Sequence, residues 1–354
     1  MSLKGLNPYL SPPQYLFYRQ EPPFAGAQEL VNGMGSLSAG NFSNYPPLNQ
    51  ILFAIASFLG GKSILGAVVV MRIMIICGDL GIFYFGRKLL RKLNLPENRI
   101  FWYLLNPFII IELTGNLHFE GVMIFFLLGA LYFLQCQKWH LSATFLACSV
   151  WIKLLPLIFL PILFRWLGIK KALAYCAVVG IISLMVFLPF FSGEFLQNYL
   201  NTVALWFQKF EFNASIFYII RWIGYRVEGY NILVFAGPVL AAVIFSSVVV
   251  MASLRRNMEM KGLLLSMFFS LSIYFFLAST IHPWYLATPL LLSIFTRYKF
   301  VQIWSLMVVV SYSAYSLPAY EENLWLIVLE YVVVFTVLGY EVLKRPKMGL
   351  NSNF

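Results

Sequence analysis

Residues 138–171 read KWHLSATFLACSVWIKLLPLIFLPILFRWLGIKK. Two apolar runs, 141–152 and 154–166, are bracketed by Lys138 on one side and by Arg165, Lys170 and Lys171 on the other, with Lys153 alone between them. A helix needs about 20 apolar residues to cross a bilayer, and both runs fall short. Clustered bases mark the cytoplasmic side of a membrane protein, so both brackets face in and Lys153 is the tip of a hairpin pointing out. Segments this short sit at membrane depth only where protein or water covers their ends. The stretch therefore predicts a wet cavity cut into the outer half of the membrane, with Lys153 at its floor.

The same alternation runs outward in both directions. Of 354 residues, 60% are apolar and 11% charged, with mean hydropathy +0.79. A soluble domain carries about a quarter charged residues, so soluble, disordered and coiled-coil classes are excluded. Net charge is +11. Seventeen of the 25 Lys and Arg fall in six clusters between apolar runs, at 87–99, 138, 165–171, 255–261, 297–299 and 344–347. Only Glu97 and Glu259 are counted with them, giving about +15; eight bases and twelve acids elsewhere give −4. A nucleic-acid surface would be one contiguous basic face, so no nucleic-acid partner is expected.

With every cluster inside, the spans are 64–86, 100–116, 119–136, 141–152, 154–166, 172–191, 231–253, 262–279, 283–296, 300–316 and 323–343. The fold class is thus an all-α polytopic membrane protein with about 11 transmembrane helices, some of them short. Residues 1–63 form an outer segment with a juxtamembrane helix, 64–343 the transmembrane domain, and 344–354 a cytoplasmic tail. The apolar stretch 48–60 is too short to span and reads as a re-entrant or interfacial helix. Seven of the 17 prolines lie in 1–47, which predicts an irregular packed loop. The outer loop 192–230 contains an amphipathic helix with Phe195, Leu196, Tyr199, Leu200, Val203, Trp206, Phe207 and Phe210 on one face, and Gln197, Asn198, Asn201, Thr202, Gln208 and Lys209 on much of the other. It is an ordinary surface helix or a substrate lid. Cys77, Cys136, Cys148 and Cys176 lie in apolar stretches without a CxxC and read as small hydrophobes.

Ionisable groups within apolar segments are costly and usually functional. His118, His282 and Lys153 all fall at outer turns at similar depth, whereas His140 falls at an inner one. Together they suit a phosphate headgroup, with Lys153 as a point charge, the histidines as donors, and Trp284 and Tyr285 as interfacial anchors. The alternatives are snorkelling for Lys153 and a satisfied capping role for His118. Glu120 could pair with His118 or act as an acid or base, and Glu112 and Glu120 could instead be buried partners of Arg or Lys. Arg72 and Asp79 are seven residues apart on one helical face, which predicts an intramembrane pair holding helices in register. Asn213-Ala-Ser215 and Asn41-Phe-Ser43 match the N-glycosylation pattern. Asp79 is the single aspartate, so a DxD metal motif is impossible, and no Gly-rich phosphate loop, HExxH or GxSxG occurs. No cofactor is evident, and divalent-metal dependence is left open.

Gly5-Leu-Asn-Pro-Tyr9, Tyr45-Pro-Pro-Leu48, Gly78-Asp79-Leu80, Asn106-Pro107, Gly115-Asn-Leu-His-Phe-Glu120, Lys153-Leu-Leu-Pro156, Phe212-Asn-Ala-Ser-Ile216 and His282-Pro-Trp-Tyr285 resemble the polytopic C-type glycosyltransferases. The likeness is to the bacterial polyprenol-phosphate-mannose-dependent mannosyltransferases of the glycosyltransferase family 87 kind, and more distantly to glycosylphosphatidylinositol mannosyltransferase I. The resemblance implies the C-type fold and inverting transfer of mannose from a polyprenyl-phosphate donor to a glycan or lipid-linked acceptor. It places the active site on the outer side of a bacterial inner membrane, among membrane lipids. It implies donor-phosphate binding by Lys153, His118, His282 and Tyr285, and a substrate pocket containing Tyr45, Asn116, Asn213 and Trp284.

Members of that group carry a further N-terminal span and an acidic motif upstream of the Gly-x-Asn-Pro-Tyr stretch. Here Met1-Ser-Leu-Lys4 precedes Gly5, and the first acid is Glu21. The expectation is a chain that begins late and lacks its catalytic carboxylate, with translation of the upstream DNA as the test. Glu120, Glu21 and Glu29 are the substitutes in this sequence, and none matches the group's base by position. The rival readings are a lipid or sugar transporter or flippase, which would often show repeated halves that this chain lacks, and an inactive truncated homologue.

Overall fold

A computed structural model describes residues 6–15, 26–61, 63–208, 210–316 and 321–344. Gly5, Glu21, Lys209, residues 317–320 and residues from 345 onward lie outside the described residues. The chain is helical, and among the described residues the one β feature is an isolated bridge between Phe212 and Thr280. In order, the helices longer than a single turn are α1 (Ala27–Gly33), α2 (Gly35–Gly40), α3 (Pro47–Leu59), α4 (Ile64–Lys92), α5 (Pro107–Gly115), α6 (Glu120–Gln135), α7 (Trp139–Ile152) and α8 (Leu155–Leu167). They continue as α9 (Ile169–Phe190), α10 (Phe195–Gln208), α11 (Ile216–Val227), α12 (Leu233–Ser253), α13 (Met260–Leu277), α14 (Ala287–Ser293), α15 (Phe300–Tyr315) and α16 (Leu324–Leu343).

Each of the eleven predicted spans contains a helix, but not each helix is a crossing. By length and composition α4, α9, α12, α13 and α16 are able to cross a membrane. The segments 100–116 and 119–136, expected as two crossings, form α5 and α6, which bend by 112° at a short break and together make one broken span or a re-entrant loop. α3, α7, α8 and α15 are apolar but only 10–17 residues long. The helix expected over 283–296 is a 3-10 turn, Pro283–Leu286, followed by only seven α-helical residues.

The windows of α4 and α9 are 11% buried, as helices facing lipid would be, whereas that of α13 is 67% buried and forms the centre. α13 packs against α12, α8 and α14, and the hairpin of α6 and α7 packs between α4 and the rest. One large apolar cluster runs from Ile75 through Leu128, Ile152 and Phe268 to Val334.

The first 47 residues are not wholly irregular. The prolines lie at positions 8–23 and 46–47, leaving 27–40 free to form α1 and α2. The helix expected in 192–230 is α10, whose Phe195 and Tyr199 bury against Tyr9. Thr202, assigned to the polar face, is buried and donates to the Asn198 carbonyl at 2.8 Å. The same loop holds a second helix, α11, whose Phe217 joins Leu233 and Leu240 in a small cluster.

Candidate functional site

The site is built at two helix breaks. At the first, Asn106 caps α5 by accepting from the Phe108 amide at 3.0 Å. The helix widens into a π turn over Ile110–Gly115, and Leu117 takes φ +61°. The chain reverses there, with the His118 amide bonded back to the Leu113 carbonyl at 3.1 Å. Glu120 follows at the positive end of α6, where an acid is favoured. At the second break, Lys153 leaves α7 in extended conformation, and Pro156 prevents simple continuation. The Ile152 carbonyl exposed by the break accepts from Asn49 of α3 at 3.2 Å.

The breaks meet at the ends of α6 and α7 remote from Lys138. Lys153 forms an ion pair with Glu120, and its ammonium lies 4.0 Å from the centre of the Tyr285 ring. Its side chain is 28% exposed, against 6% for Glu120. Lysine, carboxylate and tyrosine therefore share one half-buried position, where ionic and cation–π attraction act with little screening.

His282-Pro283-Trp284-Tyr285 enters from the turn after α13. The bridge to Phe212 holds it, with the Ile281 amide donating to the Phe212 carbonyl at 2.8 Å. Trp284 stacks on His118 at 3.8 Å and 17°, and on His282 at 4.6 Å and 3°. Phe212 extends the stack beyond His282 at 5.1 Å.

Burial pushes His282 down to about 3, with the charge of Lys153 and then His118 adding to the effect. Burial likewise pushes His118 down to about 4, opposed by Glu120 and assisted by Lys153. Both imidazoles are therefore neutral hydrogen-bonding groups at pH 7, not cations. The Nδ1 atom of His282, a residue only 9% exposed, has no partner.

Other expected residues are distributed unevenly. Tyr45 is 46% exposed and its ring stands edge-on to Phe53. Asn116 is exposed and donates to Glu112 at 3.4 Å. Asn213 lies behind the stack, fully buried, donating to Glu330 at 3.2 Å while its carbonyl accepts from Tyr331 at 2.6 Å. Its glycosylation pattern is therefore shielded in the folded protein.

Arg72 and Asp79 do not pair. Seven residues separate them by about 10 Å along the axis. Arg72 instead donates to the Thr114 and Gly115 carbonyls at 3.0 and 3.2 Å, and the Thr114 hydroxyl reaches Asp79 at 3.4 Å. They share a face, as the spacing required, and both brace the π turn.

Sequence reasoning missed the Tyr312 hydroxyl, which donates to both oxygens of Glu112 at 2.8 and 2.7 Å. It also missed Glu330, fully buried in α16 and bonded to the Trp304 indole at 2.8 Å. The available signal was a carboxylate within an apolar run. Among the described residues, no group of three His, Cys, Asp or Glu is arranged to hold a metal ion.

Residues 1–168 match the family described as alpha-(1->6)-mannopyranosyltransferase, N-terminal domain. The match includes His118, Glu120 and Lys153, whereas His282, Trp284 and Tyr285 lie beyond it. A comparison with curated proteins returned no match. The matched segment supports a mannosyltransferase family, and with the long apolar helices it supports an integral membrane glycosyltransferase.

Proposed function

We propose that the protein transfers mannose from a polyprenyl-phosphate donor to a glycan or lipid-linked acceptor, with inversion, on the outer face of a bacterial inner membrane. The observation that carries this reading is the meeting of Lys153, Glu120, His118 and His282 around Trp284 and Tyr285 at two helix breaks. The partial match to an alpha-(1->6)-mannopyranosyltransferase domain supports the sugar.

In such a reaction the bond from mannose C1 to the phosphate oxygen breaks, and the departing lipid phosphate gains negative charge. A fixed cation lowers that barrier most when it is preorganised away from bulk water. Lys153 is a suitable cation: it is partly exposed and already lies at the break. To meet the phosphate it exchanges Glu120 for the donor's oxygens. His118 and His282 act as neutral donors to the same phosphate, and the unpartnered Nδ1 of His282 is suited to this. Tyr285 fixes the direction of the lysine, while Tyr45 and Asn116, both exposed, line the approach of the sugar and acceptor.

Purified protein supplied with labelled polyprenyl-phosphate-mannose tests the reading. Label transferred to an acceptor in detergent supports it. Movement of the donor across sealed vesicles without transfer would support a flippase instead.

A further inference from the structure

The proposed transfer needs a group to take the acceptor's proton; Glu120, released when Lys153 turns to the phosphate, is one carboxylate near the break, and Glu112 is a second. Glu112 is differently placed. It is 2% exposed, lies within the π turn, and has only neutral partners: Tyr312 on both oxygens and Asn116 on one. Among the described residues, no Lys, Arg or His lies within ion-pair distance of it. A buried carboxylate without a counter-charge is costly and tends to be kept for function. π turns inside helices also occur frequently at functional sites.

Carboxylates with plain structural roles look different here. Glu97 is held by Arg87 and Arg91, Glu211 by Arg221 and Asn231, and Glu341 by the backbone amides of Lys299 and Phe300. Glu330 also has neutral partners, but it is fully enclosed within α16 by Trp304 and Asn213. Glu112 is covered by the exposed side chain of Asn116, whose hydrogen bond is the longest of its three. The same reversal of the chain joins Glu112 to His118 and Glu120 within nine residues.

We propose that Glu112 is the catalytic base that accepts the proton of the acceptor hydroxyl, with Tyr312 as its positioning residue. This rests on the mannosyl-transfer reading. The acceptor O–H proton passes to a Glu112 oxygen while the acceptor oxygen forms a bond to mannose C1. The bond between C1 and the phosphate oxygen breaks, and its electron pair leaves on polyprenyl phosphate, whose added charge faces Lys153. Asn116 moves aside to admit the acceptor, and Tyr312 keeps its hydrogen bond to the carboxylate.

The test uses the full chain in detergent, polyprenyl-phosphate-mannose as donor and octyl α-mannoside as acceptor. Glu112→Gln should lower kcat by about 10²–10⁴-fold, the range for loss of a general base. Donor KM should stay within about twofold, because the phosphate site is untouched, and the acid limb of the kcat–pH profile should disappear. Glu112→Asp should recover much of the loss. Tyr312→Phe should lower kcat about tenfold at unchanged donor KM, and it serves as the test if Glu112→Gln does not fold. Transfer by the wild type with near-normal kcat and an unchanged pH profile in Glu112→Gln, or near-normal kcat in Tyr312→Phe, overturns the role of Glu112 and leaves the transfer reading intact. Absence of transfer by the wild type overturns both.

Discussion

Burial sets the charge of the two stacked histidines, and this has a consequence for stability. Their folded values, about 4 for His118 and about 3 for His282, lie below the ordinary 6.5. Between pH 6.5 and 4 the unfolded chain therefore binds more protons than the folded one, and stability falls as pH falls through that window. Thermal unfolding in detergent should show a lower midpoint at pH 5 than at pH 7.5, with a smaller difference in His282→Asn; an equal difference in that variant contradicts the burial argument. The histidines and Lys153 were legible because each interrupts an apolar run. Their mutual stacking was not, since His118 and Trp284 are brought together by tertiary structure across separate helices. Glu112 and Tyr312, 200 residues apart, show the same limit: a carboxylate in an apolar run signals a need for a partner but not which partner meets it.

Close backbone approaches fix the elements that carry the site. A Cβ on Gly66 would lie 2.4 Å from the Gly60 carbonyl oxygen, and one on Gly60 would lie 2.4 Å from the Ala67 nitrogen. These contacts seat α3 against α4, and α3 supplies Asn49 to the α7 break. Gly66→Ala should destabilise the fold by about 1–3 kcal/mol, the usual cost of overpacking, and reduce transfer with it. Gly180→Ala in α9, where a Cβ meets nothing within 4 Å, should leave the melting temperature unchanged or raise it. Equal effects of the two substitutions would refute the close-approach argument. Helix positions were readable because basic turns and proline punctuate the sequence. The bend between α5 and α6 was not, because hydropathy measures length and not direction. α11 was not legible because Arg221 and Arg226 interrupt its apolar run.

Across the whole molecule, the proposed orientation rests on charge. In the proposed topology the six basic clusters face the cytoplasm, and Glu341 joins them, because it caps the amides of Lys299 and Phe300 at 2.8–3.1 Å. Counting Glu341 with the clusters lowers their charge from about +15 to about +14. In a background without the four native cysteines, Asn116→Cys should react with an impermeant maleimide on intact cells, whereas Lys170→Cys should react only after permeabilisation. The reverse pattern contradicts the topology. The central claim is that Lys153 stabilises the phosphate leaving from a polyprenyl-phosphate-linked mannose. The most direct measurement is transfer of radiolabelled mannose by purified wild type and Lys153→Ala at equal folded concentration. The account predicts transfer by the wild type and a loss of about a hundredfold or more in the variant, as expected when a preorganised charge contact is removed; near-equal transfer by the two proteins, or none by the wild type, would contradict it.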